Sequence, residues 1–301
     1  MTEVLPASAA ALGPVPYLRA HPGPALFARR AARLAALAPG HAAGDYLEFL
    51  ALVAEGQHAA ALALRPARPA PGGAPGGRPL ACDGPLDPAW RGVLERLLAH
   101  LSPAPLPPAA RATLDRLAAL PAAALDRLAG AALAGRLAPG EVAAAPLLGA
   151  SLQVVFAAAA AGLAVDEVRR AEGEGCPACG FPPVVGVVLG DDKLRYLWCG
   201  LCATAWHHTR VQCTRCRSSA RLEYLAVEGS DGTAKAEQCD GCEGYLKLLH
   251  AERAPGLEPW ADDLATLPLD LLMAGRGAGR LGVNLMLVPA AGEGGYQGAG
   301  R

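Results

Sequence analysis

Four Cys-x-x-Cys pairs stand between residues 176 and 242: Cys176-Pro-Ala-Cys179, Cys199-Gly-Leu-Cys202, Cys213-Thr-Arg-Cys216 and Cys239-Asp-Gly-Cys242. Two residues between cysteines make a tight knuckle whose sulfurs converge on one point, and two such knuckles complete the tetrahedral sulfur set that suits zinc(II) or a mononuclear iron. Four knuckles therefore specify two sites. The intervals between successive pairs are 19, 10 and 22 residues. Each long interval fits a hairpin of the kind seen in zinc ribbons and rubredoxins, and the short one fits a connector. This spacing pairs Cys176 and Cys179 with Cys199 and Cys202, and Cys213 and Cys216 with Cys239 and Cys242. An interleaved pairing stays open on spacing alone.

The residues between the knuckles agree with hairpins. Phe181–Leu189 and Leu194–Cys199 run apolar or alternate around a turn at Gly190-Asp-Asp, and Arg221–Val227 and Thr233–Cys239 flank a turn at Gly229–Gly232. Such ribbons are too thin to fold without metal. Four thiolates leave no open position for substrate, so the expected role of each ion is to hold shape. A thioredoxin-type site would need its cysteine at a helix start after a strand, which this context does not offer. The segment Met1–Leu12 carries Glu3 and Pro6 and no basic residue, which does not read as a secretory signal; a cytoplasmic chain with reduced thiols is expected.

Outside this region the composition is different. The chain is 52% hydrophobic but only 5% aromatic, and its alanine and leucine runs read as helices over about residues 20 to 170: one from Ala25 to Leu37, a second from Asp45, and others from Trp90, Ala109 and Ala122. Val142–Val165 has no charged residue and is long enough to span a bilayer. It is alanine-rich and interrupted by Pro146, Gly149, Ser151 and Gln153, which suits a buried core helix better than membrane insertion. Residues 65–84 read as a flexible Pro/Gly-rich loop, and the glycine-rich tail from Gly275 as irregular. The sharp change of composition near residue 171 marks a boundary. The expected architecture is α+β: an all-α helical domain at 1–170, a first rubredoxin-like or zinc-ribbon-like module at 171–211, and a second at 212–301 that includes a C-terminal helix.

Charge bears on partners. Lys and Arg total 27 against 28 Asp and Glu, and between residues 171 and 250 eight basic residues face ten acidic ones before the charge of any tetrathiolate centre is added. A nucleic-acid partner is therefore not expected. Trp206-His-His-Thr-Arg210 lies between two knuckles, but with four sulfurs already assigned to each site its imidazoles are expected at the surface or in packing. Asp262-Asp263 opens the C-terminal helix, where paired acids complement the dipole. Cys82, inside the expected loop, reads as an incidental thiol. No phosphate loop, dinucleotide fingerprint, nucleophile elbow or His-Glu-x-x-His motif is present, so no catalytic residue is assigned.

The runs Cys176-Pro-Ala-Cys-Gly180, Leu194-Arg-Tyr-Leu-Trp-Cys-Gly-Leu-Cys202, Trp206-His-His-Thr-Arg-Val-Gln-Cys-Thr-Arg-Cys216, Cys239-Asp-Gly-Cys-Glu-Gly-Tyr-Leu-Lys247 and Ala261-Asp-Asp-Leu-Ala-Thr-Leu267 resemble the formate dehydrogenase accessory protein family, FdhE. Arg29–Leu34 and Gly44–Val53 resemble it too, so the likeness spans most of the chain. It implies a cytoplasmic, non-catalytic factor needed for active respiratory formate dehydrogenase, acting on that enzyme's molybdenum- or tungsten-containing catalytic subunit. It also implies a helical N-terminal part and two rubredoxin-like metal sites held by the eight knuckle cysteines. Two modes of action fit: a docking body whose ions, iron or zinc, are structural, or a redox-active iron protein that transfers or senses electrons during maturation.

Overall fold

The computed structural model describes residues 15–64, 78–168, 175–190, 192–219 and 221–287. The helical part contains α1 (Ala25–Leu37), α2 (Gly44–Ala63), α3 (Ala89–Leu101), α4 (Pro108–Ala119), α5 (Ala122–Leu133) and α6 (Ala145–Ala161). Helix α1 is a plain amphipathic case: Leu26, Phe27, Ala31 and Leu34 line the face packed on α2. Its start falls just after Pro24, whose fixed φ suits a helix entry. Helix α6 is apolar on all sides because α2, α3 and α5 surround it, and its most apolar stretch is 72% buried. Among the described residues, the one helix long and apolar enough to cross a membrane is thus the core helix of the bundle.

The β part is built from β1 (Pro183–Leu189), β2 (Leu194–Cys199), β3 (Ala205–His207), β4 (Leu222–Leu225), β5 (Ala234–Cys239), β6 (Gly244–His250) and β7 (Gly279–Arg280). The two hairpins expected from the sequence are present as β1–β2 and β4–β5, each extended by a strand the sequence did not announce, β3 and β6, but they are not separate bodies. A parallel pairing of β1 with β6, Gly186 opposite Leu248 and Val188 opposite His250, joins them into one seven-stranded sheet. Both joining strands are buried along nearly their whole length, so neither remains an open edge. Gly186 leaves room at the seam for Leu248: a Cβ there would lie 2.6 Å from Leu248 Cδ2 and push that side chain aside.

Past β6 the chain forms two short helices where one was expected, α7 (Pro259–Ala265) and α8 (Leu267–Gly275). Pro268 cannot continue the α7 hydrogen-bond ladder. Thr266, between them, donates its hydroxyl to the carbonyls of Asp262 and Asp263, satisfying groups that the break releases. The described part of the expected irregular tail, residues 275–287, is packed: Leu281, Leu285 and Met286 are buried, and Val283 N–H donates to Pro183 O at 2.9 Å. The expected disorder at the far end and the Pro/Gly-rich residues 65–77 lie outside the described residues.

Candidate metal centres

The structure gathers the eight knuckle cysteines into two groups, Cys176/Cys179/Cys199/Cys202 and Cys213/Cys216/Cys239/Cys242, with all four sulfurs of each within 4.8 Å of one another. The consecutive pairing, not the interleaved one, is what the hairpins produce. Sulfur separations of 3.6 Å for Cys176–Cys202, 3.4 Å for Cys179–Cys199, 3.6 Å for Cys213–Cys242 and 3.7 Å for Cys216–Cys239 bear on fit. A tetrahedral ion with metal–sulfur bonds of about 2.3 Å needs about 3.8 Å between sulfurs. The donor sets therefore fit one ion each.

All four knuckles share one backbone device. The residue after each second cysteine has positive φ: Gly180 at 84°, Ala203 at 61°, Arg217 at 58° and Glu243 at 55°. This left-handed residue turns the chain back so that backbone N–H groups face the first sulfur. Ala178 N–H donates to Cys176 Sγ at 3.4 Å, and Leu201 and Cys202 N–H both donate to Cys199 Sγ at 3.3 Å. The turn also closes Gly180 N–H onto Cys176 O and Arg217 N–H onto Cys213 O. Only the first knuckle uses the glycine that such a φ favours, and the side chains at the other three carry the strain.

The surroundings of the two centres differ. The first is buried at all four cysteines, 0–1% exposed. Burial pushes the Cys179 and Cys199 thiols up, so thiolates there need a cation. Its carbonyls are held by the helical part. Gln153 Nε2 on α6 and Trp260 Nε1 on α7 both donate to Gly200 O, at 2.8 and 3.2 Å, and His21 Nε2 lies 2.9 Å from Cys202 O. Gln153 is in turn fixed by Arg30 on α1, whose Nη1 donates to Gln153 Oε1 at 2.7 Å. The Arg30 guanidinium lies over the Trp260 ring at 4.2 Å and pairs with buried Glu258. The second centre has Cys213 and Cys239 buried, Cys242 half-buried and Cys216 exposed.

Several residues take roles other than those read from the sequence. Cys82 is not incidental. Leu80 and Cys82 N–H donate to Ala178 and Cys179 carbonyls at 2.9 Å, laying residues 80–82 along the first knuckle with the Cys82 thiol beside Cys179, which lowers its pKa. That contact is between residues almost a hundred positions apart, and no local pattern signals it. Asp262 and Asp263 are more than dipole partners. Asp262 accepts from both Nε and Nη2 of Arg33 on α1, and Asp263, 0% exposed, meets Lys247, Arg280 and Asn284. Burial opposes the Asp263 charge, but Arg280 and Lys247 hold its carboxyl below the usual range. His207 packs edge-on against Tyr196, and His208 Nδ1 accepts from Arg195 Nη2 at 2.9 Å; neither ring joins a sulfur cluster. Burial and the adjacent Arg195 charge lower His208 to about 4.

Fold and site together define a class: a helical bundle fused to a double-knuckle sheet that carries two tetracysteine centres. Family models described as FdhE N-terminal, FdhE central domain and FdhE C-terminal domain match residues 15–172, 175–210 and 211–287. The chain belongs to the FdhE family. It is 38% identical over 280 residues to the Protein FdhE of Escherichia coli K12, covering 89% of this chain and 90% of that one. It is also 38% identical over 275 residues to an FdhE homolog of Stutzerimonas stutzeri, covering 88% and 90%. The crystal structure of the FdhE protein from Pseudomonas aeruginosa superposes with a TM-score of 0.81 at 37% identity, over 91% of this chain and 99% of that one.

Proposed function

We propose that this protein is a cytoplasmic accessory factor, not an enzyme, that binds the catalytic subunit of respiratory formate dehydrogenase and is needed for its activity. Each tetracysteine cluster would hold one ion, iron or zinc, through Cys176, Cys179, Cys199 and Cys202 and through Cys213, Cys216, Cys239 and Cys242. The observation that carries the docking role is the wiring of the first cluster into the helical body through Gly200, Gln153, Arg30 and Trp260. Four sulfurs leave an ion no vacant position, so its contribution is to fix the ribbons against the bundle. The acidic balance of residues 171–250 and the burial of α6 support a protein client over nucleic acid or membrane.

This reading keeps three domains in view: the helical body at 1–170, the first module at 171–211 and the second at 212–301, the modules acting as a unit through the shared sheet. Co-purification of full-length protein with the apo catalytic subunit tests it. Capture of the client is expected, and absence of any complex overturns the docking role.

The exposed edge of the second cluster at Cys216 favours one alternative, an iron centre that transfers or senses electrons during maturation. Elemental analysis and visible absorbance of protein purified without oxygen separate the two. Colourless, zinc-only protein that still activates the client overturns the redox reading. Iron-containing protein whose activation of the client is lost when zinc replaces the iron overturns a purely structural one.

A further inference from the structure

On the sheet face carrying Val188 and Leu248, the strand registers bring together residues that the sequence scatters. Val188 on β1 lies opposite Arg195 on β2 and His250 on β6, Leu248 opposite Lys235 on β5, and Tyr224 on β4 opposite Glu237. Val188, Arg195, Tyr224, Lys235, Leu248 and His250, with Arg210 from the linker between the two modules, line a partly open pocket of about 240 Å³ that contains none of the knuckle cysteines. Val188 and Leu248 give it apolar surface, and Arg195, Arg210, Lys235 and His250 gather cationic and N–H donor groups on one small area.

The charge there is incompletely matched. Glu237 accepts from Arg195 Nη1 with both oxygens at 2.6 Å and from the Tyr224 hydroxyl at 3.0 Å, so its capacity is committed. Arg210 and Lys235 have no ion-pair partner among the described residues. Arg195 is 1% exposed; its two terminal nitrogens donate to Glu237, His208, Gln212 and Thr214, while its Nε is buried without an acceptor. Arg195 is thus spent on holding the wall of the pocket together, and the cations left to meet an anion there are Arg210 and Lys235.

We infer that this pocket is a binding site for a small organic carboxylate, whose oxygens meet the Arg210 and Lys235 donors beside the Arg195–Glu237 pair and whose apolar part rests on Val188 and Leu248. A guanidinium and an ammonium suit any oxyanion, but the apolar surface and the Tyr224 ring favour an organic acid over bare phosphate. The volume corresponds to about eight water molecules, which limits a fully enclosed ligand to a few carbon atoms or one ring. The site shares no residue with the contacts that tie the first cluster to the helical body.

Titration of the full-length, metal-loaded protein at low salt with benzoate, succinate and inorganic phosphate, followed by backbone amide NMR, tests the assignment. Saturable binding of benzoate or succinate with a Kd near or below about 1 mM is expected, with the largest shifts at residues 188, 195, 235, 248 and 250. Arg210→Gln and Lys235→Gln, changes at side chains without ion-pair partners, are expected to weaken binding at least about tenfold while leaving metal content unchanged. Absence of saturation by both carboxylates, shifts centred elsewhere, or unchanged affinity in both variants overturns the site. Phosphate binding as tightly as the carboxylates overturns its organic character. An acidic peptide added as a fourth probe distinguishes a free small acid from a carboxylate carried by a protein: tighter binding of the peptide, with the same variant sensitivity, overturns the free-acid assignment.

Discussion

Both sulfur clusters are made from the same knuckle, with a left-handed residue after the second cysteine and two cross-knuckle sulfur pairs 3.4–3.7 Å apart in each, yet one lies in the middle of the molecule and the other at its edge. Around the first, Gly200 is bonded from α6 and α7, His21 meets Cys202, and residues 80–82 run along Cys179. Around the second, Cys216 is exposed and the helical bundle makes no such bonds among the described residues. A knuckle's sequence sets the donor set, while its surroundings set how much of the fold depends on it. The first centre is a joint between two halves, and the second closes the far ribbon.

The largest test of this contrast is removal of each site in turn. Cys199→Ser with Cys202→Ser is expected to abolish cooperative folding of the sheet and its docking on α6, because structural zinc contributes on the order of 10 kcal/mol to folding. Cys213→Ser with Cys216→Ser should leave the bundle folded and one ion per chain. Circular dichroism melts and metal stoichiometry measure both, and equal outcomes would break the comparison. Next in size, Arg30→Met leaves Glu258 buried without its cation and loosens Gln153, an expected loss of about 3–5 kcal/mol in urea unfolding. Combining it with Glu258→Gln should recover a substantial part of the loss.

Smaller effects probe the junction between modules. His208 has its pKa lowered to about 4 by burial and by Arg195, so the folded state favours the neutral ring. Between its ordinary value of 6.5 and about 4 the unfolded chain binds more protons, and stability should fall as pH drops through that window. His208→Asn should flatten this part of the pH profile in thermal melts. The smallest expected change is a gain: Arg217→Gly relieves a left-handed non-glycine residue in an exposed knuckle and should stabilise the second module by about 1 kcal/mol. Chemical unfolding of the metal-loaded protein checks it.

The two metal donor sets were readable because cysteine spacing acts locally: a Cys-x-x-Cys turn brings its sulfurs together whatever surrounds it. Helices α1 to α5 are readable for a similar reason, since their apolar residues repeat at helical spacing, and α6 is readable as an uncharged, alanine-rich apolar run. Strand β6 was hidden by Lys247 in its middle, a residue that is 2% exposed only because Asp263 and Asp270 meet it from α7 and α8. The break at Thr266 is legible in Pro268, which cannot extend the α7 hydrogen-bond ladder. Cys82 escaped because its sulfur chemistry depends on a backbone ladder with residues almost a hundred positions away.

By itself, then, the sequence determined the helical character of the first half, the two sets of four sulfurs and the hairpins that bring each set together, since all of these follow from interactions over a few to about twenty residues. Only the tertiary structure decided that the ribbons share one sheet, that one cluster is buried and the other exposed, and that Arg195, Arg210, Lys235 and His250 converge on one face of a module whose overall charge is acidic. Those outcomes depend on long-range strand pairing and burial, which fix where a charge or a thiol lies relative to water and which no local pattern encodes.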